Sequence, residues 1–342
     1  MKNSKKRPIP VIVIGGFLGA GKTTLLNYIL SEQHGVRVGV LVNDFGAINI
    51  DAKLVVGVDG DTVSLANGCV CCSIRDDLIP ACLSLVQRDN PPELLIVETS
   101  GVSEPQQVAN TFMLPEIEAI MPLDTIISVI DAEQFPAILQ SEMASLARLQ
   151  IQDADILILN KVDLVDAKAL ETCKTLVQTI SPGTRMLEST VGKVSLNLIT
   201  GIGLHAVHKK KEQAPNYRLF HAHEHPFSTW QWTSDRPLSL PKLRSLIETL
   251  PETIYRLKGI VYLEEMPLHK VEIQTVGKRI NMGDTERWGE KPRQSEIVMI
   301  ASKNGIDPDA MQRAFDDCIG NGDDSGSPIL RLMRFLEMDM AT

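Results

Sequence analysis

Short uninterrupted apolar runs alternate with amphipathic stretches through the first two hundred residues of the chain. Val11–Ile14, Val38–Val42, Leu94–Val97, Ile126–Ile130 and Ile156–Leu159 read as strands buried on both faces. Between them, Lys22–Ser31 and Ile74–Arg88 carry a helical period. In the second of these, Ile74, Leu78, Ala81, Cys82 and Leu85 share one face, which makes Cys82 a core residue. This rhythm predicts a mostly parallel sheet covered by helices. After about residue 216 it changes to strand Phe220–Thr233, helix Leu240–Leu250, strands Ile254–Glu265, Lys270–Ile280 and Glu296–Ser302, then helix Pro308–Cys318, a smaller α+β unit. Beyond an acidic link at 321–327, Ile329–Met338 has the pattern of a short amphipathic helix.

Aromatic residues support the division: residues 1–216 hold five and 217–342 hold ten, so the two cores are built differently. The polar, Pro-containing stretch 208–216 has the composition of a linker, giving expected domains at 1–207 and 217–342. A length of 342 residues, 44% hydrophobic and 23% charged, is enough for two ordinary globular cores. The net charge of -9 argues against a nucleic-acid partner, the basic runs being confined to Lys5–Arg7 and Lys209–Lys211. Lys2, Lys5, Lys6 and Arg7 ahead of an uncharged run imitate a secretory signal, but Lys22 and four glycines interrupt the imitation. No run reaches the roughly 18 apolar residues of a membrane span, and six cysteines without a secreted disulfide spacing fit a reducing cytoplasm.

Chemistry enters directly after the first strand. Gly16-Phe-Leu-Gly-Ala-Gly-Lys-Thr-Thr24 fits G-x-x-x-x-G-K-[ST] between a buried strand and a helix, the context of a P-loop. Gly16, Gly19, Ala20 and Gly21 let backbone N–H groups wrap a polyphosphate at the helix N-terminus. Lys22 reaches the β- and γ-phosphates, while Thr23, followed by Thr24, offers a hydroxyl to Mg²⁺. The strand Leu94–Val97 runs into Glu98, a carboxylate for the Mg²⁺ shell, and Gly101 can present its N–H to the γ-phosphate as a nucleotide switch does. At the end of Ile156–Leu159 stands Asn160-Lys161-Val-Asp163. A carboxylate at 163 accepts from guanine N1–H and its 2-amino group, donors adenine lacks, so GTP is expected over ATP. Val102 occupies the place where a glutamine would orient the attacking water, which predicts slow intrinsic turnover.

Asn67-Gly-Cys69-Val-Cys71-Cys72 puts three thiols just before a helix whose Ser73 and Asp76 resemble a capping box. Thiols at a helix N-terminus ionise more readily, and three thiolates need one further ligand to complete a tetrahedral zinc site. Asp44 or Asp51 are candidates for the fourth. Alone, Cys-x-Cys-Cys is weaker than a paired Cys-x-x-Cys signature, and reduced thiols in a turn are the alternative. Its place between the expected switches, Asn43 to Asp51 and Glu98 to Gly101, favours a metal whose affinity follows the nucleotide.

Together, Gly16 to Leu26, Asn43-Asp-Phe-Gly46, Asn67 to Cys72, Glu98-Thr-Ser-Gly101 and Asn160-Lys-Val-Asp163 resemble the CobW-type family of P-loop GTPase metallochaperones. Tyr255 to Gly259 and Trp288 to Arg293 resemble that family's C-terminal domain. The resemblance implies GTP and GDP with Mg²⁺ as the nucleotide system, Zn²⁺ held at Cys69, Cys71 and Cys72, and delivery to a client metalloprotein. Cobalt or iron insertion, or GTP-gated zinc buffering without transfer, are the alternatives it leaves open. Many relatives carry Glu after Asn-Glu-Phe-Gly, whereas this chain has Ala47, so no metal role exists at that position. His221, His223 and His225 would share one face of a strand and form a second place for metal, against the reading as exposed histidines. The client, and whether the chain forms a homodimer, are not written in the sequence.

Overall fold

The computed structural model describes residues 8–32, 35–43, 62–65, 73–200, 227–276, 279–289 and 292–320. Cys69, Cys71, Cys72, Asp44, Asp51, His221, His223, His225 and the stretch 329–338 lie outside the described residues, as do the side chains of Ser73 and Asp76. The chain divides into two compact units, Met1–Gly203 and Leu204–Thr342.

In the first unit the apolar runs become the middle of a sheet. Its strands are β1 (Val11–Gly16), β2 (Val38–Asn43), β3 (Thr62–Leu65), β4 (Leu94–Glu98), β5 (Leu123–Asp131), β6 (Ile156–Asn160) and β7 (Arg185–Ser189). They stand in the order β3-β2-β4-β1-β5-β6-β7, every neighbouring pair parallel. Helices of eight or more residues are α1 (Lys22–Ser31), α2 (Ser73–Val86), α3 (Pro105–Phe112), α4 (Ala144–Gln152) and α5 (Ala167–Ile180). Val11 to Ile14, Leu94 to Val97 and Ile156 to Leu159 are fully buried, and each such side chain stabilises the fold by about 1.5–3 kcal/mol. On one side of the sheet Leu78, Cys82 and Leu85 of α2 pack with Val13, Leu41, Val97 and Phe112. Another cluster joins Leu157, Leu159, Ile130 and Phe135 to Cys173 and Val177 of α5.

The second unit contains β8 (Phe227–Ser234), α6 (Leu240–Glu248), β9 (Ile254–Tyr262), β10 (His269–Val276), β11 (Arg279–Arg287), β12 (Ser295–Ser302) and α7 (Pro308–Asp317). Its five strands form an antiparallel sheet ordered β11-β10-β9-β12-β8. Trp232, Leu257, Ile273 and Met299 pack with Leu243 and Ile247 of α6 and Phe315 of α7. Trp230 and Trp232 lie 5.5 and 5.4 Å from the Phe315 ring, and Trp232 Nε1 donates to Asp316 Oδ1 at 3.0 Å. Asp307 caps α7 by accepting from the N–H groups of Asp309 and Ala310.

The architecture is thus an α/β P-loop unit with a smaller α+β unit. Three details depart from the pattern reading. The expected strand Lys270–Ile280 is two strands, because Val276 pairs with Arg279 across a two-residue connection that the sequence marks with Gly277. The sheet has two more strands than the five apolar runs, β3 and β7, which close its two edges. The strand expected over Phe220–Thr233 is described from Phe227 onward. Among the described residues, no helix is long and apolar enough to cross a membrane.

Candidate nucleotide and metal site

A parallel sheet delivers the ends of β1, β4, β5, β6 and β7 to one edge, where an open α/β fold presents ligand groups. Register aligns them: Ile14 pairs with Glu98, Asp131 with Asn160, and Asn160 with Ser189.

The loop from Gly16 to Gly21 turns directly into α1, whose first N–H groups have no partner within the helix. Gly21, the N-cap, has φ of 101°, and a Cβ there would overlap the Asn160 amide, so both its conformation and its packing require glycine. Lys22 is 7% exposed, and its Nζ donates to the carbonyls of Gly16 (3.0 Å) and Phe17 (3.2 Å). The ammonium is therefore held over the loop rather than extended into solvent. Gly19 and Thr24 are exposed at the loop and helix start, whereas Ala20 is buried.

Thr23 Oγ1 donates to Glu98 Oε1 at 2.7 Å, joining α1 to the end of β4. Glu98 is 1% exposed. By giving its proton to the carboxylate, the Thr23 hydroxyl keeps its lone pairs for a cation. A buried carboxylate beside such a hydroxyl is a hard-oxygen donor pair of the kind that suits Mg²⁺. Three residues on, Gly101 lies in a turn closed by the Ser103 N–H donating to Ser100 O at 3.0 Å. A Cβ on Gly101 would stand 2.7 Å from the backbone nitrogen of Leu18, so this turn rests directly on the P-loop.

At the base-recognition motif the side chains divide their work. Asn160 is buried; its Nδ2 donates to Ala20 O (2.9 Å) and its Oδ1 accepts from the Gly192 N–H (3.0 Å). It thereby ties the P-loop to the loop after β7. Lys161 has φ of 61° and its Nζ meets Asp131 Oδ2 at 2.7 Å. Asp131 Oδ1 also accepts from the N–H groups of Glu133 and Gln134. Asp163, on the 3-10 turn Val162–Leu164, is exposed, with its carboxylate open to a ligand. Three contributors were missed by pattern reading: Asp131, Gly192 and Gln150, whose amide reaches the Gly101 turn. An acid ending a long apolar run signals the first; a glycine soon after a short strand signals the second; nothing local signals the third.

The remaining cysteines behave as core. Cys82, Cys173 and Cys318 are buried free thiols. Burial pushes Cys82 up to about 12. Burial, with the Asp131 charge secondary, pushes Cys173 up to about 11. Burial, then Asp317, pushes Cys318 up to about 11, Lys242 opposing. All three are protonated near neutral pH and shielded, so a native thiol titration is expected to show only Cys69, Cys71 and Cys72 reacting quickly. Fast modification of Cys82, identified by mass spectrometry of the labelled protein, would contradict this division. Among the described residues no cluster of three or more metal-ligating side chains is present.

Comparison with known proteins identifies the family. Residues 10–188 match the family model described as CobW/HypB/UreG, nucleotide-binding domain, and residues 227–319 match the cobalamin synthesis protein cobW C-terminal domain. The zinc chaperone CobW of Sinorhizobium sp is 28% identical over 90% of this chain and 96% of its own length. Zinc-regulated GTPase metalloprotein activator 1 of Dictyostelium discoideum is 31% identical over 91% of this chain and 80% of its own. A crystal structure of Zn(II)-bound YjiA GTPase from E. coli is 22% identical with a TM-score of 0.44, covering 92% of this chain and all of that one. With a P-loop at the end of β1, an acid at the end of β4 and Asn-Lys-x-Asp at the end of β6, all inside the matched segment, the chain belongs to the CobW-type family of P-loop GTPases.

Proposed function

We propose that this GTPase holds a zinc ion at Cys69, Cys71 and Cys72 and uses its nucleotide state to retain the ion or pass it to a client metalloprotein. The observation that carries the reading is where the neighbouring strands end. Leu65, closing β3, pairs with Asn43 at the end of β2, and Val42 pairs with Glu98. The cysteine segment is thus bounded in the sequence by the end of β3, in register with the strands that end at Asn43 and Glu98, and by the start of α2 at Ser73. The names of the relatives favour zinc over cobalt or iron.

In the reaction, water attacks the γ-phosphorus of GTP, the bond to the β-γ bridging oxygen breaks, and GDP and phosphate leave. Lys22 shifts from the Gly16 and Phe17 carbonyls to the phosphoryl oxygens and, with the loop amides, stabilises their charge. Thr23 and Glu98 would hold Mg²⁺, which would supply positive charge against the phosphates. The Gly101 N–H reads the γ-phosphate and reports its loss. Asn160 braces the P-loop while Lys161 and Asp163 receive the base. His221, His223 and His225 are a secondary place for the ion, and 208–216, outside the described residues, keeps its reading from composition as a linker. A cytoplasmic location, where thiols stay reduced, suits this chemistry.

Base selection has a direct test. Asp163→Asn replaces an acceptor pair by a mixed donor and acceptor, and is expected to weaken GTP binding by about 1–3 kcal/mol. Calorimetric titration of both proteins with GTP and ATP checks it. Equal affinity of the unaltered protein for the two nucleotides would remove the guanine assignment.

A further inference from the structure

The turn that carries Gly101 is held from two sides. On one side it abuts the backbone of Leu18 in the P-loop. On the other stands Gln150 of α4, 2% exposed, whose Nε2 donates to the carbonyls of Gly101 (3.2 Å) and Ser103 (2.9 Å). Both partners are acceptors, so the amide has one orientation only, and both of its hydrogens are spent on the turn. Gln150 also lines one small cavity with Phe17 of the P-loop, Ser128 and Asp131. Val102 leaves the turn without the side chain that would orient water, and a glycine at 101 gives the backbone wide rotational freedom. Beyond the turn's own Ser103 N–H to Ser100 O bond, Gln150 fixes two of its carbonyls.

We propose that Gln150 is a positioning residue for GTP hydrolysis: its amide locks the Ser100–Ser103 turn so that the Gly101 N–H faces the γ-phosphate. This rests on the reading of Gly101 as the γ-phosphate sensor. Gln150 acts through the turn and not on the phosphate. GDP carries no γ-phosphate, so the lock matters for GTP and for turnover but not for GDP.

The test uses the full chain with Gln150→Met, similar in volume but without a donor, and Gln150→Glu, which keeps the shape but, even when protonated, offers one donor in place of two. Each is expected to lower kcat about tenfold, and to lower affinity for a non-hydrolysable GTP analogue about tenfold relative to GDP. Affinity for GDP is expected to stay within about twofold of the parent. Folded protein with parental kcat and parental analogue-to-GDP ratio overturns the proposal. So does a parallel loss of both affinities, which is what a purely structural glutamine would give. If one variant fails to fold, the other decides on the same readouts. Gly101→Pro, which removes the N–H itself, separates the proposal from the reading beneath it: folded protein of that variant with parental hydrolysis and a parental analogue-to-GDP ratio overturns the sensor itself and the lock with it. A lowered analogue-to-GDP ratio in Gly101→Pro beside parental Gln150 variants overturns the lock alone.

Discussion

Lys22→Ala is expected to lower the rate of GTP hydrolysis by about a hundredfold or more, the loss typical when a charge-stabilising donor is removed from a transition state. The position of Lys22 in the fold determines how the experiment reads. Its ammonium is buried and bonded to Gly16 O and Phe17 O, so alanine removes two hydrogen bonds from the loop. Sequence alone suggests that stability barely changes, because the lysine serves phosphates. The bonds to the carbonyls revise that expectation to a loss of about 1–2 kcal/mol. Single-turnover hydrolysis alongside thermal unfolding separates the two effects. A folded variant that hydrolyses GTP at the parental rate would contradict the P-loop chemistry.

What the sequence made legible follows from physical range. The central strands are apolar runs because both faces are covered, and Gly16-x-x-x-x-Gly21-Lys22 is readable because loop, anion and helix start occupy consecutive residues. Edge strands were harder. In β7, residues Arg185, Leu187 and Ser189 are buried while Met186 and Glu188 are less so, a pattern too short and mixed to stand out. β11 sits at the outer edge of its sheet, with a register irregularity opposite β10 and a polar composition, and so merges with its neighbour when only hydrophobicity is followed. The site's braces were not legible at all. Asn160 reaches Ala20 across 140 residues and Gln150 reaches Gly101 across 49, and no local period encodes such contacts. The Asn-Lys-x-Asp motif announced a base-binding loop, yet its asparagine spends both ends of its amide on the scaffold.

The other large effect concerns the metal. Replacing Cys69, Cys71 and Cys72 together by serine is expected to abolish high-affinity zinc binding, since serine hydroxyls do not ionise near neutral pH and offer hard, weak donors to a borderline ion. Cys82→Ser serves as the contrast. It perturbs a buried helix face but leaves zinc affinity unchanged in protein that folds, because that thiol is protonated and enclosed. Undiminished zinc binding by the triple variant would move the site elsewhere, with His221, His223 and His225 the first residues to test.

Zinc retention and release in the proposed function require coupling between the ion and the nucleotide. If the cysteine segment responds to the edge that holds Thr23 and Glu98, zinc affinity must differ between the GTP and GDP states, and zinc must change the GTP-to-GDP preference by the same factor. A typical coupling of about 1–3 kcal/mol corresponds to roughly 5- to 150-fold. The measurement is a competitive zinc titration of the intact protein saturated first with a non-hydrolysable GTP analogue and then with GDP, repeated with the triple serine variant. The account predicts two distinct affinities in the parent and no high-affinity binding in the variant. Identical zinc affinities in the two nucleotide states of the parent would contradict it.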